Sequence, residues 1–237
     1  MKNVLCIIQS RLGSARLPEK ALSPISGKPM IVHVVERVQK VSGLKIIVAV
    51  PTEDYSTYLE LWSRWHWLCG VGDGETKNVW QRFVDVIQRY DVKGCLDTIV
   101  RVTGDCPLIL PDVIQRMLKE FEYLNQNDPF AFLSNDTTLT GYPDGTDVEI
   151  FAKSLFLTSP PLNPDEEEHV TLSMKRNLPS IKYFSPLRHW PSVKLSVDTQ
   201  EDLDRVRMIY RYCQDDPPIR EDELCKVIRE MKNKKLI

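Results

Sequence analysis

Val4-Leu5-Cys6-Ile7-Ile8-Gln9-Ser10-Arg11-Leu12-Gly13-Ser14-Ala15-Arg16-Leu17-Pro18-Glu19-Lys20 opens the chain with five apolar residues that pass straight into a cation-bearing loop. An unbroken apolar run of this length, closed by such a loop, reads as a strand buried on both faces. Two more runs match it, Lys45-Ile46-Ile47-Val48-Ala49-Val50 and Asp97-Thr98-Ile99-Val100-Arg101-Val102. Amphipathic segments lie between them. Met30, Val34, Val35 and Val38 recur at helical spacing behind Pro29, which predicts a helix from 29 to about 40 that ends near Gly43. Residues 54–65, 78–90 and 111–123 are further predicted helices, the last again with proline at its start. Four strand-helix steps in the first half predict an α/β fold around a largely parallel sheet.

The second half is less regular. Ala131-Phe132-Leu133 and Val148-Glu149-Ile150-Phe151 read as strands on either side of the turn-rich Thr140-Gly141-Tyr142-Pro143-Asp144-Gly145. A helix is predicted over 165–176, with the acidic residues 165–168 at its start favoured by the helix dipole. Val193-Lys194-Leu195-Ser196-Val197 reads as a last strand. Asp198 or Thr199 could cap the helix that follows, with Asp202 in the acidic position of a capping box. Neither an internal repeat nor a Gly/Ser linker divides the chain, so one domain over 1–237 is expected, with 220–237 as a helical tail.

Composition narrows the function classes. The 237 residues include 31 Lys+Arg and 33 Asp+Glu, a net charge of −2, with 42% hydrophobic and 27% charged residues. These values fit a globular protein with a sizeable core and argue against a nucleic-acid binder that works by overall positive charge. No apolar run approaches the roughly 18 residues of a membrane helix, and the first run is too short for a signal peptide, so a cytoplasmic location and no membrane partner are expected. The six cysteines form no CxxC pair and no zinc-type spacing with histidine, which predicts reduced thiols.

The loop at residues 9–20 falls at the carboxyl end of the first strand, where open α/β sheets bind ligands. Arg11, Arg16 and Lys20 beside Gly13 and Ser14 suit a polyphosphate: guanidinium groups grip phosphate oxygens, Ser14 adds a donor, and Gly13 lets amides approach an anion. A solvated basic loop is the alternative. Gly27-Lys28 is followed by Pro29, so it is not a Walker loop, and Gly70, Gly72 and Gly74 miss the dinucleotide spacing. Gly104-Asp105 follows the third strand and so lies at the same sheet edge. Asp105 could hold Mg²⁺ against a triphosphate or simply close a turn. Asp198 could join it or serve as an N-cap. Trp62, Trp65 and Trp67, with His66, read as a sugar-stacking platform or as core anchors.

Residues 7–38, IIQSRLGSARLPEKALSPISGKPMIVHVVERV, resemble the opening of the cytidylyltransferase family that activates acidic sugars, including the 3-deoxy-manno-octulosonate and acylneuraminate enzymes. The likeness is closer still to the branch named for SpsF, of spore coat polysaccharide biosynthesis. It continues through Gly104-Asp105-Cys106-Pro107, Tyr142-Pro143-Asp144-Gly145-Thr146-Asp147-Val148-Glu149, Glu168-His169-Val170-Thr171 and Val197-Asp198-Thr199-Gln200-Glu201-Asp202-Leu203. Glu167 stands where that branch carries an arginine, which leaves the acceptor's charge open.

The resemblance runs from Ile7 to about Arg207. It implies a single-domain, glycosyltransferase-A-like (Rossmann-like) nucleotidyltransferase with a mostly parallel mixed sheet between helices. The implied reaction moves CMP from CTP to a sugar-type acceptor with Mg²⁺ as cofactor and pyrophosphate as product, in cell-surface polysaccharide biosynthesis, in a homodimer. Gln9, Arg11, Gly13, Ser14, Arg16, Lys20, Gly104 and Asp105 would hold the nucleotide, with Arg11, Arg16 and Lys20 catalytic. Asp105 and Asp198 would hold the metal, and Asp147, Glu149 and His169 would border the acceptor. Two alternatives are a glycosyltransferase consuming a sugar nucleotide, for which Asp202-Leu203-Asp204 offers the only Asp-x-Asp, and a non-catalytic nucleotide-binding module.

Overall fold

The computed structural model of the chain describes residues 3–67, 69–75, 77–178 and 181–237. The strands are β1 (Asn3–Gln9), β2 (Pro24–Ile25), β3 (Lys28–Pro29), β4 (Leu44–Pro51), β5 (Gly70–Gly74), β6 (Leu96–Thr103), β7 (Phe132–Ser134), β8 (Glu149–Ala152) and β9 (Lys182–Tyr183). The first-half helices are α1 (Met30–Val38), α2 (Tyr55–Trp65), α3 (Val79–Tyr90) and α4 (Pro111–Asn127). The rest are α5 (Thr137–Thr140), α6 (Lys153–Leu157), α7 (Pro164–Glu168), α8 (Leu172–Asn177), α9 (Gln200–Tyr212) and α10 (Glu221–Asn233).

Seven strands form one sheet in the order β5-β4-β1-β6-β8-β7-β9, while β2 and β3 make a separate small ribbon. β1 pairs parallel with β4 and with β6, and β4 parallel with β5, whereas β8 runs antiparallel to both β6 and β7. The expected single-domain, mostly parallel mixed sheet between helices is therefore what the chain forms. Leu5, Cys6, Ile7 and Ile8 are wholly buried, and so are Val48, Ala49 and Val50, because helices cover both faces. α1 buries Met30, Val34, Val35 and Val38, the residues whose spacing predicted it. In α10, Leu224, Cys225, Ile228 and Met231 are buried, so the C-terminal helix packs into the body rather than trailing from it.

Because β4 and β6 flank β1 on opposite sides, the chain direction switches between β1 and β6, and a crevice opens there at their carboxyl ends. Register brings the two ends level, with Gln9 opposite Thr103. Gly104 N then donates to Gln9 O at 2.8 Å. A Cβ on Gly104 would stand 2.7 Å from Ser10 Oγ, so this close crossing of the two loops requires glycine.

Three expectations need correction. β5 was not anticipated, because Gly70, Gly72 and Gly74 carry no apolar pattern; α3 packs so closely on it that a Cβ on Gly74 would lie 3.1 Å from Arg82 Cα. The predicted helix over 165–176 is two helices, α7 and α8, since His169 (ψ 68°) leaves helical geometry and Val170 and Thr171 turn inward to be buried. Residues 193–197 join no sheet. Leu195 N and Val197 N donate instead to the loop carbonyls of Asp144 (2.6 Å) and Asp105 (2.9 Å), so loops rather than strands flank this segment.

Candidate active site

The loop after β1 is tied down from beneath. Ser10 Oγ and the buried Tyr58 hydroxyl are 2.6 Å apart, and Leu12 N donates to Asp54 Oδ2 at 2.8 Å. With its root fixed on α2, the loop lays Ser14, Ala15, Arg16 and Lys20 along a cavity of about 310 Å³, whose far wall is Thr103, Gly104 and Asp105. Gln9, Ser10, Arg11, Arg82, Arg101, Glu168, His169 and Asp198 complete its polar lining. Gly13 lies off the cavity wall, and a Cβ there would meet nothing within 4 Å.

Asp198 reaches this cavity because the 193–197 segment is pinned between two loops. Gly145, at φ +100°, lies so close that a Cβ on it would be 2.1 Å from Ser196 N. Thr199, not Asp198, caps α9: its hydroxyl accepts from Asp202 N while the Asp202 carboxylate accepts from Thr199 N. That box absorbs the helix's free amides and leaves the Asp198 carboxylate to face the cleft.

Lys20 Nζ lies between the two aspartates. It donates to Asp105 Oδ2 at 2.7 Å, to Asp198 Oδ1 at 3.0 Å and to Val197 O at 2.8 Å. Burial disfavours its charge, but Asp105 and Asp198 outweigh that and hold its pKa above the ordinary lysine value. Arg16 (3.0 Å) and Lys194 (2.9 Å) also pair with Asp198. Burial likewise opposes ionisation of Asp198, and Lys194 and Lys20 overcome it, keeping its carboxyl below the usual range.

The chemistry of this pair fits Mg²⁺. Two hard carboxylates converge on one point where a cationic nitrogen already sits, and among the described residues no set of three or more His, Cys, Asp or Glu side chains gathers as a protein cage. Mg²⁺ takes one or two carboxylates and completes its shell with phosphate and water.

The sequence reading missed Arg101. Its signal is an arginine set among Ile99, Val100 and Val102 in the half of β6 nearest the cleft. Arg101 donates to Gln9 Oε1 at 3.2 and 3.3 Å and to Glu149 Oε2 at 2.7 Å, its cross-strand partner on β8. Beyond Arg101 and His169 a second cavity opens, which Asp147 and Glu149 also line. His169 is exposed, 3.5 Å from Asp165, and borders both cavities. Arg11 pairs with Glu168 at 3.3 Å. Asp147 accepts from Gly145 N and Thr137 Oγ1, and burial pushes its carboxyl up to about 6.

Two sequence candidates fall away. Trp62, Trp65 and Trp67 line neither cavity; Trp67 is buried, and Trp62 Nε1 donates to Cys69 O. In Asp202-Leu203-Asp204 the carboxylates diverge, Asp202 into the capping box and Asp204 to Gln200 and Arg207.

An α/β sheet whose switch-point crevice joins a cationic loop to two converging aspartates is the architecture of a nucleotidyltransferase. The sequence model for the family described as cytidylyltransferase matches residues 5–236, and the chain belongs to that family. It is 27% identical over 244 residues to the spore coat polysaccharide biosynthesis protein SpsF of Bacillus subtilis (strain 168), covering 96% of this chain and 95% of that protein. It is 36% identical over 118 residues to the 3-deoxy-manno-octulosonate cytidylyltransferase of Brucella canis, 50% of this chain and 46% of that one. A cytidylyltransferase structure from Leptospira borgpetersenii serovar Hardjo-bovis matches at TM-score 0.82 and 25% identity, covering 100% and 96% of the two chains. CMP:2-keto-3-deoxy-manno-octonic acid synthetase complexed with CTP shares the fold, at TM-score 0.62 and 20% identity over 88% and 98%.

Proposed function

We propose that this chain binds CTP with Mg²⁺ and transfers CMP to a sugar-type acceptor, releasing pyrophosphate, in the synthesis of a cell-surface polysaccharide. The observation that carries the reading is the meeting of Asp105 and Asp198 on Lys20, beside the Arg11–Arg16 loop. Names among the relatives, spore coat polysaccharide biosynthesis and 3-deoxy-manno-octulosonate cytidylyltransferase, support the substrate class.

In this reading an acceptor oxygen forms a bond to the α-phosphorus of CTP while the bond from that phosphorus to the bridging oxygen breaks, and the β- and γ-phosphates leave together. Charge builds on the leaving pyrophosphate, so fixed cations rather than a covalent intermediate lower the barrier. Arg11, Arg16 and Lys20 grip the triphosphate, Ser14 and the Gly104 turn shape the wall against it, and Asp105 and Asp198 hold Mg²⁺. The metal, when bound, neutralises phosphate charge and orients the departing group. Asp147, Glu149 and His169 border the acceptor. A thermal-shift screen of all four nucleoside triphosphates with Mg²⁺, followed by pyrophosphate release with a sugar panel, tests the reading. Selective stabilisation by CTP and acceptor-dependent release are expected; release of UDP from a UDP-sugar would overturn it in favour of glycosyl transfer.

A further inference from the structure

The cavity beyond Arg101 also measures about 310 Å³, and the two cavities differ in charge. The nucleotide cleft carries Arg11, Arg16, Lys20, Arg82 and Arg101 against Asp105, Glu168 and Asp198. The second cavity carries Arg101 and Lys175 against Asp136, Asp147 and Glu149. Cations are in excess where a triphosphate would lie, and carboxylates are in excess where the acceptor would lie.

Both cations of the second cavity are engaged by one buried side chain. Glu149 Oε2 accepts from Arg101 Nη1 at 2.7 Å, and Glu149 Oε1 pairs with Lys175 Nζ at 2.6 Å and accepts from Thr171 Oγ1 at 3.2 Å. The other Arg101 nitrogens, Nε and Nη2, are taken by Gln9 Oε1. Lys175 has Asp136 at 4.0 Å as a second carboxylate neighbour. Burial opposes ionisation of Glu149, but Arg101 and then Lys175 outweigh it, so the group is a carboxylate.

A carboxylate between an arginine and a lysine is how a protein would grip an acidic ligand, and here the protein supplies that carboxylate itself. We propose that the acceptor is hydroxyl-rich and carboxylate-free, with Glu149 as the specificity-determining residue that occupies the place an acidic sugar's carboxylate would need. This rests on the cytidylyltransferase reading above. Asp136 and Asp147 each keep acceptor capacity beyond their present bonds to Thr138, Thr137 and Gly145, and the Thr137 and Thr138 hydroxyls stand beside them, which suits a polyol. A further carboxylate would enter a cavity already lined by Asp136, Asp147 and Glu149.

The test uses the full chain with CTP and Mg²⁺ and matched neutral and acidic probes: D-glucitol against D-gluconate, D-glucose against D-glucuronate, and 3-deoxy-manno-octulosonate as a sugar acid. Thermal shift and pyrophosphate release are read together. The neutral member of each pair is expected to act at least ~10-fold better, and Glu149→Gln, which frees Arg101 and Lys175, is expected to move the acid-to-neutral ratio at least ~10-fold toward the acids. Asp147→Asn, which leaves the buried triad intact, is expected to move it the same way by less. Preference for acids in the wild type, no discrimination within pairs, or an unchanged ratio in both variants overturns the inference, while CTP-dependent stabilisation in the same samples leaves the cytidylyltransferase reading standing. Loss of the CTP signal as well removes both.

Discussion

Lys20 Nζ has three acceptors within 3.0 Å, two of them carboxylates that would otherwise confront each other across the cleft. Lys20→Met keeps the side chain's length and removes its charge. A fall in turnover of roughly 10²-fold or more is expected with far-UV circular dichroism unchanged, the loss typical of deleting one transition-state charge contact; wild-type turnover would contradict a catalytic role. Asp147 gives a signed pH effect. Burial raises its carboxyl to about 6 in the folded chain from an ordinary 3.8, so the folded state binds the extra proton and stability falls as pH rises from about 4 to 6. Asp147→Asn should remove about 2 kcal/mol of that fall between pH 4 and 6, read by urea unfolding at pH 4, 5 and 6. Parallel profiles for wild type and variant would refute the assignment. Asp198 and Glu149, held below their ordinary values, act with the opposite sign and in another window: their stabilisation is complete above the ordinary carboxylate pKa and is lost as pH falls below it.

At the scale of elements, the capping box and the glycine turn decide where Asp198 points. Thr199→Ala should lower stability by ~1 kcal/mol in chemical denaturation and reduce CTP affinity through a loosened α9 start. Gly145→Ala places a carbon in the space of Ser196 N, so the 193–198 segment must move; a lower melting temperature and loss of turnover are expected together, and a variant that kept both would contradict the packing described. β1, β4, β6 and helices α1 to α4 were legible in the sequence because apolar runs, helical spacing and the prolines and glycines that bound them are local signals. β5 was not, since its glycines answer to the closeness of α3, and no pattern in 193–197 reveals that its neighbours are loops. The break between α7 and α8 was hidden likewise, because it exists to bury Thr171 against Glu149. The cationic loop and Asp105 were readable as residue types at strand ends, and Asp198 as an acid just before a helix, although the strand expected ahead of it does not form. Their meeting, and the two anchors Asp54 and Tyr58 beneath the loop, required long-range contacts that no local signal encodes.

The whole molecule is a parallel core extended across the antiparallel β8 to the parallel pair β7 and β9, and its two cavities divide at β8. Strands β1 and β6 supply the cationic cleft, β8 and the α7–α8 break supply the polar one, and Arg101 stands on the seam between them. Asp105 and Asp198, drawn from opposite halves of the sequence, meet at the rim of the first. Their shared office as a metal-holding pair is the claim on which the chemistry depends. Calorimetric titration of CTP into the wild type and the doubly substituted Asp105→Asn, Asp198→Asn chain, each with and without Mg²⁺, addresses it directly. The account predicts that Mg²⁺ tightens CTP binding at least ~10-fold in the wild type and has no such effect in the double variant. Equal affinity with and without Mg²⁺ in the wild type, or an undiminished Mg²⁺ effect in the variant, would contradict it.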